Sequence, residues 1–140
     1  MDEKTLIQKI DRLRNTYLSG KTLPLEWRRS QLLAMQSMLT ERESDFQQAL
    51  RADLHKSTFA CYATEIGFLL GAVDHALSHL EHWARPQKAN TPAFLHPARS
   101  YTLFEPLGVG LIMGACNYPM QLTLGPLVAA IAAGNAAVIK

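Results

Sequence analysis

Apolar positions in the first half of the chain recur at helical intervals. Leu6, Ile10, Leu13 and Tyr17 follow a 4-3-4 spacing, which defines one face of a helix. Gly20 can end that helix, because glycine enters the left-handed region without a Cβ penalty. Pro24 suits the start of a second helix, which carries Leu25, Leu32, Met35 and Leu39. Thr40 and Glu43 form the T-x-x-E pattern of a capping box and predict a third helix through Phe46, Ala49 and Leu50. A longer helix is expected after "DLHKS". There Phe59, Tyr62, Ile66, Leu69, Leu70, Val73, Leu77 and Leu80 keep the 3.6-residue period until Pro86 stops it.

Beyond Pro86 the period changes. Residues 87–100 are rich in proline and polar groups and read as a connection. "YTLFEP", from Tyr101, alternates like a strand. "LGVGLIMG" is short and apolar, which suits a strand buried on both faces. "MQLTLGPLVAAIAAG" is helical in character, with Gly134 and Asn135 as its stop. "AAVIK" then opens another strand. Strand, helix and strand in succession predict a βαβ unit with parallel strands. The fold class is therefore α/β: N-terminal helices followed by the start of a parallel sheet. Such a sheet needs cover on both faces and usually several strands, so the chain is expected to lack the rest of its sheet.

Length and composition support a folded core. A chain of 140 residues buries roughly two-thirds of its unfolded surface. A net charge of +2 lacks the clustered basic excess of a nucleic-acid footprint, and Arg28–Arg29 reads as a solvated helix face. Cys61 and Cys116 form no C-x-x-C or metal-ligand spacing, so free thiols in a reducing cytoplasm are expected. The N-terminus has no apolar signal region. Residues 106–139 carry no charge, but Asn117, Pro119, Gln121, Pro126 and Asn135 interrupt them, so no membrane span is expected.

Four features invite chemistry. Gly108, Gly110 and Gly114 have the wrong spacing and placement for a dinucleotide fingerprint, so close strand–helix packing is the stronger reading. His75, His79 and His82 share a helix face at a spacing that zinc accepts, but a hydrated polar face is the plainer reading and no metal is expected. Cys116 has no charged neighbour to lower its pKa, although a helix start near Pro119 could do so; a small buried apolar residue is the alternative. Asn117, in an uncharged turn between strand and helix, could donate to a developing oxyanion or merely cap its turn.

"EPLGVGLIMGACNYPMQLTLGPLVAAIAAGNAAVIK" resembles the aldehyde dehydrogenase superfamily. Glu105, Pro106, Gly108, Val109, Asn117, Tyr118, Pro119, Ala130, Ala132, Ala133, Gly134, Asn135 and Lys140 fit its pattern in order. "NYP" and the helical first half with "LRADLHK" are similar to the class 3-like branch, and the likeness covers essentially the whole chain. It implies a Rossmann-like sheet and NAD or NADP as cofactor. In the family a cysteine thiolate attacks an aldehyde, hydride passes to the nicotinamide, and water releases the acid. It further implies that Asn117 donates to the oxyanion, that the backbone of Gly114, Ala115 and Cys116 runs along the nicotinamide side, and that Lys140 binds the adenosine ribose. Tyr118 and Leu122 would lie near the substrate channel. Strands near Tyr101 would belong to oligomer contacts, with a dimer implied for the intact protein.

The resemblance divides the chain into a helical region (residues 1–86), a connection and strand region (87–105) and the first βαβ of the cofactor-binding domain (106–140). Cys116 stands where the family usually has a large aromatic, and it is not the family's nucleophile. That cysteine and the glutamate base lie downstream of Lys140 in the family, so this chain alone is expected to be inactive. The rival expectation is a non-catalytic helical module that docks on a homologue or another partner.

Overall fold

The computed structural model describes residues 2–140. Helix α1 (Glu3–Leu18) begins at Asp2, whose carboxylate accepts the Thr5 N–H at 2.7 Å. Helices α2 (Leu25–Glu41) and α3 (Glu43–Leu54) follow. Next, α4 (Thr58–Cys61) runs through a π-helical turn (Tyr62–Ile66) into α5 (Gly67–Ala84). Two short strands, β1 (Gln87–Ala89) and β2 (Ser100–Thr102), pair antiparallel. Strands β3 (Val109–Ile112) and β4 (Ala136–Ile139) pair in parallel, Val109 with Ala136 through Ile112 with Ile139, and α6 (Pro119–Ala133) connects them.

The core lies where α2, α5 and α6 meet. Leu32, Leu39, Leu69, Val73 and Leu80 are fully or almost fully buried, joined by Val128 and Ala132 of α6. Each such Leu or Val contributes about 1.5–3 kcal/mol relative to exposure. Both α6 and α1 pack on the β3–β4 pair, so the helical core and the parallel strands form one continuous body. The expected α/β architecture, helices first and a parallel βαβ after, is present.

Six local expectations differ from the structure. Thr40 does not cap α3: it lies in the last turn of α2 and donates to the Gln36 carbonyl, while Arg42 occupies the cap position without a side-chain bond. The long helix is not uniform. Its π-helical turn, closed by the Gly67 N–H on the Tyr62 carbonyl, shifts the register of the residues before it. Phe59 is consequently 82% exposed and Tyr62 also faces outward, while Cys61, Glu65 and Ile66 are buried. The connection after Pro86 contains β1, and the strand at Tyr101 ends at Thr102 rather than reaching Pro106.

Strand β3 is not buried on both faces, because among the described residues only β4 pairs with it and Leu111 remains 61% exposed. Finally, Arg28 is not a solvated side chain. It is half-buried, its Nε donates to the Thr22 carbonyl at 3.1 Å and its Nη1 to the Ala132 carbonyl at 3.2 Å. Burial lowers its pKa from the usual guanidinium value.

Candidate functional site

The carboxyl ends of parallel strands are where open α/β sheets bind ligands, because connecting loops and helix N-termini converge there. In this chain the ladder runs one step past both strands. The Lys140 N–H donates to the Ile112 carbonyl at 2.9 Å, and the Gly114 N–H donates to the Lys140 carbonyl at 2.9 Å. Gly114 and Lys140, 26 positions apart in sequence, are therefore bonded neighbours at that edge. Gly114 also lies tight against α6. A Cβ there would sit 1.9 Å from the Thr123 hydroxyl oxygen, so any larger residue would force the Thr123 side chain or the turn to shift.

Ala115, Cys116, Asn117 and Tyr118 continue as an exposed turn into α6. The Cys116 thiol is exposed rather than buried, because the turn leaves the sheet before it. Tyr118 caps the helix only through its backbone carbonyl, which accepts the Leu122 N–H at 2.9 Å; its side chain makes no cap bond. Pro119 stands at the first helical position, where a missing N–H costs nothing. Tyr118 and Leu122, one turn apart, are both partly exposed beside Asn117.

The amides that Tyr118 leaves open are satisfied from far away in sequence. Glu65, fully buried, accepts the Met120 N–H at 3.1 Å and the Gln121 N–H at 2.8 Å on Oε2. Its Oε1 pairs with Lys56 Nζ. That ammonium lies 4.1 Å from the centroid of the Tyr118 ring, a cation–π distance. Sequence reasoning missed both residues. The available signal was indirect: a helix opening on Tyr-Pro has no side-chain cap of its own, so an acceptor had to come from elsewhere.

The opposite end of α6 fastens the strands. Gly134 takes a left-handed conformation (φ 87°), and Asn135 Oδ1 accepts the Gly108 N–H at 2.9 Å, tying the entry of β3 to the exit of α6. The histidine face belongs elsewhere. His75, His79 and Trp83 pack ring against ring along α5. Among the described residues no group of three or more His, Cys, Asp or Glu could hold a metal ion, and no helix is long and apolar enough to cross a membrane.

A loop without charged residues of its own, followed along the ladder by Lys140, can accommodate a group that carries hydroxyls and negative charge, as a dinucleotide does. The backbone of Gly114, Ala115 and Cys116, together with Lys140, could hold it.

The profile described as "Aldehyde dehydrogenase family" matches residues 2–140. The chain belongs to the aldehyde dehydrogenase family. Aldehyde dehydrogenase family 3 comG of Dictyostelium discoideum is 44% identical over 91% of this chain. A dog relative described as aldehyde dehydrogenase, dimeric NADP-preferring, is 41% identical over 94% of it. The chain spans 27% and 29% of the lengths of these two proteins. Among solved structures, the substrate-bound state of Staphylococcus aureus AldH superposes with a TM-score of 0.94 at 37% identity, covering 99% of this chain and 30% of that one. The aldehyde dehydrogenase fold thus accounts for both the helical first half and the parallel pair.

Proposed function

We propose that this chain forms the N-terminal part of an NAD(P)-dependent aldehyde dehydrogenase, in which an aldehyde is oxidised to a carboxylic acid, water supplying the second oxygen, NAD(P)+ taking the hydride and a proton being released. The observation that carries the reading is the Gly114–Lys140 hydrogen bond at the carboxyl ends of the parallel strands, with Asn117 on the turn that leaves them. When bound, the nicotinamide accepts the hydride that the aldehyde loses. The chain's own residues do the rest of what it can do. The Lys140 ammonium holds ribose hydroxyls, and the backbone from Gly114 to Cys116 flanks the nicotinamide side. The Asn117 carboxamide N–H donates to the oxygen that gains charge when the aldehyde carbon is attacked. Being neutral, that donor adds no charge of its own to the site. Tyr118 and Leu122 border the aldehyde channel. The dog relative's description supports NADP as one cofactor and a dimer as the assembly. Exposed Leu111 and Ile139 support a sheet continued by further strands. The two free thiols fit a cytoplasmic setting.

A chimera tests this reading. The chain is fused to the downstream portion of a family 3 relative and assayed for aldehyde-dependent reduction of NAD and NADP. The chimera should turn over, and Asn117→Ala should lower kcat about 10²–10³-fold with a much smaller change in KM. An Asn117→Ala chimera with unchanged kcat would refute the oxyanion role. The unfused chain should give no sustained reduced nicotinamide.

A second reading, a helical docking module, has one observation in its favour. An open, mostly apolar groove of about 530 Å³ is lined by Ala76, Leu80, Trp83, Phe104 and Val128. Native mass measurement of the chain with an intact homologue separates the two readings, since a docking module forms a stable complex.

A further inference from the structure

We infer that Glu65, together with Lys56, is a positioning residue for Asn117. The inference rests on the proposed oxyanion role of Asn117 and adds the device that holds it in place.

Glu65 reaches the turn from another helix, 55 residues earlier in the sequence, and fixes the Met120 and Gln121 amides with one carboxylate oxygen. Its second oxygen holds Lys56, whose ammonium lies against the Tyr118 ring. The segment 118–121 is thus held at two points: its helix start by a carboxylate and its aromatic side chain by a cation. Asn117 is the residue immediately before it. The π-helical turn makes this possible, because its altered register buries Glu65 while Tyr62 points outward.

Stability alone does not explain the arrangement. Buried ion pairs are often no more stabilising than apolar side chains of the same volume. A Ser, Thr or Asp at position 118 would cap α6 locally. Moving the cap to Glu65 leaves position 118 free for an aromatic ring beside the reacting carbonyl. It also ties the turn to the π-helical segment that leads into α5, as precise placement of a catalytic donor requires.

The test uses ¹⁵N-labelled chain: wild type, Glu65→Gln, Lys56→Met and the double variant, compared by amide exchange, chemical shift and backbone order parameters. In Glu65→Gln one amide oxygen, a weaker acceptor than a carboxylate, must serve either the two backbone amides or Lys56, so the Met120 and Gln121 amides should exchange faster and shift. The Asn117 order parameter should fall from about 0.85 to below about 0.6. In Lys56→Met the Tyr118 ring resonances should shift and Asn117 should loosen with them. The double variant carries no unpaired buried charge, so it gives the same readout should Glu65→Gln unfold. If Met120 and Gln121 respond while Asn117 keeps its wild-type order parameter and side-chain amide shifts, Glu65 is only a helix cap and the inference fails. That failure is distinct from an Asn117→Ala chimera of unchanged kcat, which would remove the oxyanion role itself.

Discussion

The two ends of α6 are closed by opposite means. At the C-terminal end the devices are mostly adjacent in sequence. Gly134 turns left-handed, its N–H meets the Ile131 carbonyl, the Asn135 N–H meets the Ala130 carbonyl, and the Asn135 side chain reaches across to β3. At the N-terminal end nothing local serves. Tyr118 provides no side-chain cap, and the open Met120 and Gln121 amides are met by a carboxylate from the π-helical turn that leads into α5. The end that secures the sheet is encoded by neighbours. The end that carries Asn117 depends on tertiary structure, so its geometry is tied to the packing of the core.

Removing Glu65 strains this contrast most. Glu65→Ala strips two helix amides of their acceptor and leaves Lys56, whose side chain is 14% exposed, without its counter-charge. A broken buried pair costs about 3–5 kcal/mol. In urea unfolding the midpoint should fall with the slope unchanged. Lys56→Met combined with Glu65→Leu should recover much of the loss, because no unpaired charge remains. A Glu65→Ala chain as stable as wild type would mean that the two ends of α6 do not differ in the way described.

The opposite end should respond less. Gly134→Ala forces a Cβ into the left-handed region, which costs about 1–2 kcal/mol. That Cβ would also meet the Arg28 guanidinium at 2.9 Å. Arg28 is a long side chain and can withdraw, at the expense of its bond to the Ala132 carbonyl. A double variant with Arg28→Ala should therefore be non-additive by urea melts, since the two residues touch. Strict additivity would show that Arg28 plays no part in closing this end.

What the sequence reveals follows the same division. The "AAGN" helix stop, the core positions Leu32, Leu39, Leu69, Val73 and Leu80, and the parallel crossover are each written in local spacing, and each is present. Family resemblance led to Asn117, Gly114 and Lys140, and the fold brings Gly114 and Lys140 into direct hydrogen bonding. Glu65 was illegible for a physical reason. On a regular helix its position has no special claim, and only the π-helical register and the docking of α6 give its carboxylate partners. Thr40 shows the converse failure. Its spacing to Glu43 mimics a capping box, yet α2 continues through it and its hydroxyl bonds back to Gln36.

The smallest effect is expected at Asp2, a cap as local as Gly134 but wholly in solvent. The Thr5 backbone N–H, through its hydrogen bond to the Asp2 carboxylate, lowers the Asp2 pKa below the usual carboxylate value. A depressed folded pKa means that the bond contributes fully above the unfolded value of about 3.9 and is lost as pH falls through the lower folded value. Amide exchange at Thr5 should therefore lose protection on acidification, corrected for the intrinsic pH dependence, while protection in α5 persists. Asp2→Asn keeps an acceptor oxygen but cannot titrate, so it should flatten that profile. If the Thr5 profile is identical in the two chains, the carboxylate is not what secures the start of α1. Solvent can replace an exposed cap in a way that it cannot replace Glu65, which is why the same chemistry, a carboxylate on a helix amide, has its smallest expected effect here and its largest at α6.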